Sequence, residues 1–134
     1  MNKQIFINLP VKDLNKSIEF FTKLGYSFNA QFTSDDATCM IVSDAIFVML
    51  LTETYFKTFI KKEIVDAKKS TEVLLAMSAE SKEEVDLFVD KALKAGGIAP
   101  KEPQDLGFMY SRNFEDLDGH IWEIFWMNPN HVQG

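Results

Sequence analysis

Apolar residues alternate along "IFINLPV", with Ile5, Ile7, Leu9 and Val11 on one side and Phe6, Asn8 and Pro10 on the other. That two-residue period predicts a strand. The period then changes. In "LNKSIEFFTKL" the apolar residues Ile18, Phe21 and Leu24 fall at helical spacing, Asp13 stands where an N-cap would, and Gly25 supplies a stop. Three strand-like runs follow, "SFNAQFT", "ATCMIVS" and "AIFVMLL", with "SDD" and "SDA" read as tight turns between them. The order then begins again. "TEVLLAMSA" reads as a strand, and Ser81 and Glu84 form a capping-box pattern ahead of "VDLFVDKALKA". Val85, Phe88, Val89, Ala92 and Leu93 make an amphipathic stripe, and Gly96 and Gly97 end the helix. Strands are predicted again in "GIAPKE", "GFMYSRNFE" and "GHIWEIFWM". Each half is therefore β-α-β-β-β, and this two-fold repeat covers nearly the whole chain.

The stretch between the halves, "TETYFKTFIKKEIVDAKKS", fits neither pattern. Phe56, Phe59 and Ile60 predict a short helix, followed by a Lys-rich connection. Two readings are open: a solvated linker whose few apolar residues dock on the surface, or a flap over a ligand cleft with Tyr55, Phe56 and Phe59 facing inward. The expected organisation is a single domain over 1–134, with module one at about 4–52, the linker or flap at 53–70, and module two at about 71–128.

Composition narrows the classes. A chain of 134 residues can bury a genuine core in one domain, and 46% hydrophobic with 25% charged residues is ordinary for a globular protein. Twelve Phe point to an apolar interior or an apolar cleft. A net charge of −6 leaves no basic stripe to neutralise phosphates, which excludes a nucleic-acid partner. Cys39, the one cysteine, lies in the apolar run "ATCMIV", has no intrachain disulfide partner, and reads as a small buried hydrophobe. No apolar stretch approaches the ~20 residues of a membrane span, and "MNKQIFINLP" has no apolar h-region. The expectation is a cytoplasmic protein with no membrane partner.

The βαβββ repeat resembles the vicinal oxygen chelate superfamily, which includes glyoxalase I, bleomycin- and fosfomycin-resistance proteins and extradiol dioxygenases. The resemblance is carried by "LPVKDLNKSIEFFTKLGY" and by "FEDLDGHIWEIFWM", similar to the family ending F-x-D-P-D-G-x-x-x-E, with Leu117 in place of the usual proline. It spans about residues 4 to 128. It implies an α+β fold of two βαβββ modules enclosing a curved-sheet cleft, and a homodimer. Asp116, Asp118 and Gly119 then form the tight turn before the last strand. The aspartates are structural there, because the remaining ligand spacing of a calcium loop is absent.

The resemblance also implies a metal site, which this sequence does not complete. Strand alternation puts Ile121, Glu123 and Phe125 on one face, and Glu123 matches the family's metal-binding glutamate. The other three positions fall on Phe6, near Leu50, and on Glu72. Phe and Leu offer no lone pairs, so no metal cofactor is expected. If any metal binds, Glu72 and Glu123 would hold it. His120 lies an odd number of residues from Glu123 and at a turn, so it reads as a surface histidine. His131 lies near the chain end and is expected to fray.

Glu72 and Glu123 are expected to sit on paired inner faces, in a cleft lined by Phe6, Leu50, Leu74 and Phe125. Three roles remain open. One carboxylate with a raised pKa acts as a general base; the pair binds a polar ligand group; or Arg112 pairs with one of them as inert scaffolding. Strand parity adds Asn8, Met40, Ala76, Tyr110 and Phe114 to the lining, with Tyr110 and Arg112 as polar handles. As a set these describe an apolar pocket with few polar groups, suited to a small molecule. Two functions follow: a metal-free protein binding an apolar or aromatic compound, and a metal-dependent lyase or dioxygenase of the glyoxalase I or extradiol dioxygenase type. The apolar metal positions favour the first.

Overall fold

A computed structural model describes residues 3–130. His131 lies outside them. The chain divides into two compact units, Met1–Val65 and Asp66–Gly134, and the break falls inside the 53–70 stretch.

In the first unit, β1 (Ile5–Val11) leads into α1 (Leu14–Lys23), followed by β2 (Ser27–Phe28), β3 (Ala37–Ile41) and β4 (Ile46–Thr52). Asp13 is the N-cap, its carboxylate accepting the Lys16 amide. The sheet order is β1-β4-β3-β2, with β1 and β4 parallel and the other pairs antiparallel. The run "SFNAQFT" is not one strand. After two residues the Asn29 side chain accepts the Gln31 amide and turns the backbone into a 3-10 helix, Ala30–Phe32. Leu9, Val11, Met40, Val48 and Leu50 share one face of the sheet and are buried, with Leu14, Phe20 and Phe21 of α1. This is the core of the unit.

The short helix expected after β4 is α2 (Glu53–Phe56), capped by Thr52 and continued by a 3-10 turn, Lys57–Phe59. It packs against β1 and β4. Tyr55 and Phe59 are exposed and meet edge to face, with ring centroids 5.1 Å apart.

The second unit repeats the topology. β5 (Leu74–Ser78), α3 (Lys82–Lys94), β6 (Gln104–Asp105), β7 (Met109–Glu115) and β8 (Ile121–Met127) give the sheet order β5-β8-β7-β6, again with one parallel pair. The fold is α+β, built of two four-stranded mixed sheets with helices. The capping box is formed: Ser81 accepts the Glu84 amide, and the Glu84 carboxylate reaches back to the Glu80 amide. "GIAPKE" does not form a strand. Ile98 makes a single bridge to Glu115, and the ladder resumes only at Gln104, because Pro100 and Pro103 carry no amide hydrogen. Gly97 sits where a Cβ would lie 2.9 Å from the carbonyl oxygens of Ala92 and Glu115, so this close approach of helix end to strand requires glycine.

The connection from β7 to β8 is organised by Asp116. One carboxylate oxygen accepts the amides of Asp118 and His120, each at 3.0 Å, and the other accepts the Trp122 indole N–H at 2.9 Å. Only 5% exposed, Asp116 has its pKa raised by burial, while nearby His120 and these hydrogen bonds act in the opposite direction. Gly119 has φ +92°, and a Cβ there would come within 2.8 Å of the Lys68 backbone nitrogen.

Asp116→Asn should destabilise the protein by about 1–3 kcal/mol, because the amide nitrogen would face the Trp122 N–H and leave two donors opposed. A denaturation double-mutant cycle with Trp122→Phe should show coupling of about 1 kcal/mol. Strict additivity would count against this role.

Candidate ligand-binding face

The turn fixes which side chains share a face. Glu115 pairs with Ile121, Asn113 with Glu123, and Ser111 with Phe125; across the parallel edge Ala76 pairs with Glu123 and Leu74 with Ile121. Directly opposed residues project to the same side of a sheet. One face of the second sheet therefore carries Leu74, Ala76, Ser78, Ser111, Asn113, Glu123 and Phe125. The other carries Tyr110, Arg112, Phe114, Trp122, Ile124 and Trp126.

α3 covers that second face. The Arg112 guanidinium bonds Asp86 and Asp90 on successive turns of α3, each at 3.0 Å, and the Tyr110 hydroxyl donates to Asp86 at 2.6 Å. Burial acts against the Arg112 cation, but the two aspartates outweigh it and its pKa is raised. Burial, then the Asp86 hydrogen bond, pushes the Tyr110 phenol up to about 12. Phe114 is fully buried, stacked on Trp122 and near Phe88 of α3. Tyr110, Arg112 and Phe114 thus do not line the face that carries Glu123, and Arg112 is not its ion-pair partner.

Glu72 moves as well. It is exposed and lies ahead of β5, whereas the residue opposite Glu123 is Ala76. Glu72 sits in a bend outside the ladder, so strand register does not pair the two glutamates. Leu74, Ala76, Glu123 and Phe125 do share the open face. Glu123 is half-buried, and among the described residues of its unit its carboxylate makes no hydrogen bond or ion pair.

In the first unit Phe6 pairs with Phe47, Asn8 with Met49, and Leu9 with Leu50. Phe6 and Asn8 lie on the open face. Met40 and Leu50, expected beside them, are 0% exposed on the core face with Leu9 and Val48. The parallel register places Met49 rather than Leu50 on the side of Phe6. Phe6 is 48% exposed and stacks on Phe47 with ring centroids 4.8 Å apart. Ala37, Cys39 and Leu51 on this face are buried, and burial raises the pKa of the Cys39 thiol.

The residues missed by sequence reasoning are Ser111 and Asn113 in the second unit, and Phe47 and Met49 in the first. Centring the five-residue turn on Asp118 would have given the first pair. Among the described residues no three His, Cys, Asp or Glu side chains come together to hold a metal ion. His120 belongs to the turn, where its amide donates to Asp116.

The fold is that of solved structures described as glyoxalase/bleomycin resistance/dioxygenase proteins. The family described as bleomycin resistance protein-like N-terminal matches residues 3–43. A hypothetical protein from S. aureus is 28% identical, with a TM-score of 0.79 over 94% of this chain and 95% of that one. A glyoxalase-related enzyme from Fulvimarina pelagi is 20% identical, with a TM-score of 0.80 over 100% and 94%. A genomically encoded fosfomycin resistance protein from Listeria monocytogenes is 21% identical, with a TM-score of 0.67 over 94% and 93%. No curated protein matches the chain.

Two substitutions separate the faces. Arg112→Gln should cost about 1 kcal/mol, a small value because Asp86 and Asp90 are about half exposed (48% and 58%) and solvent screens them. Glu123→Gln should leave the melting temperature level or raise it, since the amide keeps the shape without an uncompensated charge. Marked destabilisation by Glu123→Gln would show that the carboxylate serves the fold.

Proposed function

We propose that this protein binds an apolar or aromatic small molecule without a resident metal, in the manner of a bleomycin-resistance-like member of its fold superfamily. The observation that carries this reading is Glu123: a half-buried carboxylate on an open sheet face, beside Phe125, with no partner among the described residues of its unit. A charge left in such a place is costly unless something pairs with it, and a ligand is the group that would do so. On the second sheet's open face, Phe125 beside Glu123 supports an aromatic or apolar ligand body; in the first unit the Phe6–Phe47 stack offers, by itself, a flat, apolar platform of the same kind.

The donor set supports the absence of a metal. In the first unit the implied positions hold Phe6 and, by register, Met49, which give at most one soft thioether. In the second, Glu123 stands opposite Ala76 while Glu72 lies off the strand. The chain is further proposed to act as a homodimer, supported by the exposed Ile5 and Leu74 on the edge strands β1 and β5. A cytoplasmic location fits the single free cysteine, and among the described residues no helix is long and apolar enough to cross a membrane.

Protein purified without added metal should contain no stoichiometric zinc, nickel or iron by elemental analysis, and light scattering should give a dimer mass at micromolar concentration. Near-equimolar metal that is lost in Glu123→Ala would replace this reading with the metal-dependent lyase or dioxygenase one.

A further inference from the structure

We propose that the ligand of the second sheet's open face carries a protonated nitrogen on its apolar or aromatic body, and that Glu123 holds this cation. The proposal rests on the reading that this face binds a small molecule, and adds the ligand's charge.

The sign follows from where the cations of the unit lie. The four strands of this sheet contain no lysine. Their single arginine, Arg112, projects to the opposite face, where Asp86 and Asp90 hold it at 3.0 Å each. No lysine of the unit forms an ion pair with Glu123; Lys82 lies instead with Asp105 and over the Trp126 ring. The next charged residue on the open face is Glu115, two positions along β7 from Asn113, and it has the same sign. An anionic ligand would meet repulsion from both. A neutral one would cover the Glu123 carboxylate and leave it without a counter-charge. A cation both compensates the charge and donates hydrogen bonds to a group that only accepts them.

The neighbours narrow the cation to an organic one. Around Glu123 stand the Asn113 amide directly opposite and Ala76 on the other flank, while Ser111, paired with Phe125 one step along, is buried. One carboxylate with an amide is a poor set for a hard metal ion, which takes six or more oxygens. The same set suits an ammonium or amidinium group: the carboxylate takes the charge, the Asn113 carbonyl accepts a further N–H, and Phe125, Ala76 and Leu74 offer apolar surface to the body.

The test uses three probes of one shape and different charge: 2-naphthylmethylamine, 2-naphthylmethanol and 2-naphthoate, titrated calorimetrically into the full chain and into Glu123→Gln. The amine should bind about tenfold more tightly than the alcohol, as expected of a charge-assisted hydrogen bond, and the carboxylate should bind weakest. The amine's advantage should shrink at high salt and vanish in Glu123→Gln. If that variant folds poorly, the comparison of amine with alcohol on the wild-type protein decides alone. Equal binding of all three probes would overturn the proposal and leave the binding reading standing. Failure of all three to bind would overturn both.

Discussion

The second unit depends on a carboxylate almost wholly withdrawn from water. Asp116 accepts two turn amides and the Trp122 indole, so it ties the β7–β8 connection to the largest side chain of the core. Removing an ion from water is costly, and here three donors offset that cost. The result is positional. With the turn held between Glu115 and Ile121, every pair along the hairpin is determined, and a slip of one residue would carry Glu123 under α3 and Trp122 into solvent. The chemistry of the open face is thus set by a residue that is not on it.

The same register sorts the charges. Tyr110 and Arg112, the strand residues best able to contact a polar ligand, face α3, where aspartates one helical turn apart receive them. That network fixes the helix to the sheet and takes up the only cation the strands provide. Glu123 is left with an amide and hydroxyls for company. A half-buried charge and a satisfied network thus lie on opposite sides of one sheet, and only the second contributes to holding the helix in place.

Much of the fold was legible because its signals are local. The caps at Asp13 and Ser81, the glycine stops and the alternation of "IFINLPV" each act within a few residues, and the repeat made them reinforce one another. Where local patterns failed, a specific side chain or backbone feature had intervened: the Asn29 side chain diverted "SFNAQFT" into a 3-10 turn, and Pro100 within "GIAPKE" and Pro103 just after it interrupted that strand. The site was less legible, because membership of a face is a relation between strands. Parity within "IWEIFWM" correctly groups Glu123 with Phe125, but says nothing of which parity of "MYSRNFE" joins them. Tyr110, Arg112 and Phe114 were assigned to the wrong side for that reason, as were Met40 and Leu50 in the first sheet.

The repeat also shows how little topology constrains chemistry. Both units have the same strand order, the same parallel pair and a helix after the first strand, yet their open faces differ in kind. The first offers Phe6 stacked on Phe47 beside Asn8 and Met49; the second offers Glu123 among Asn113, Ser111 and Ser78. What the units share lies on their helix-covered faces, where packing of Val48 and Leu50 in one and of Trp122 and Ile124 in the other excludes water and tolerates little change. The open faces are packed only in part, with Ala37, Cys39, Leu51 and Ser111 buried, and their exposed positions can change residue type without disturbing either core. A scaffold built this way can lose one function and acquire another while its sheets stay in register, which is why the function here has to be argued from Glu123 and Phe6 and not from the fold.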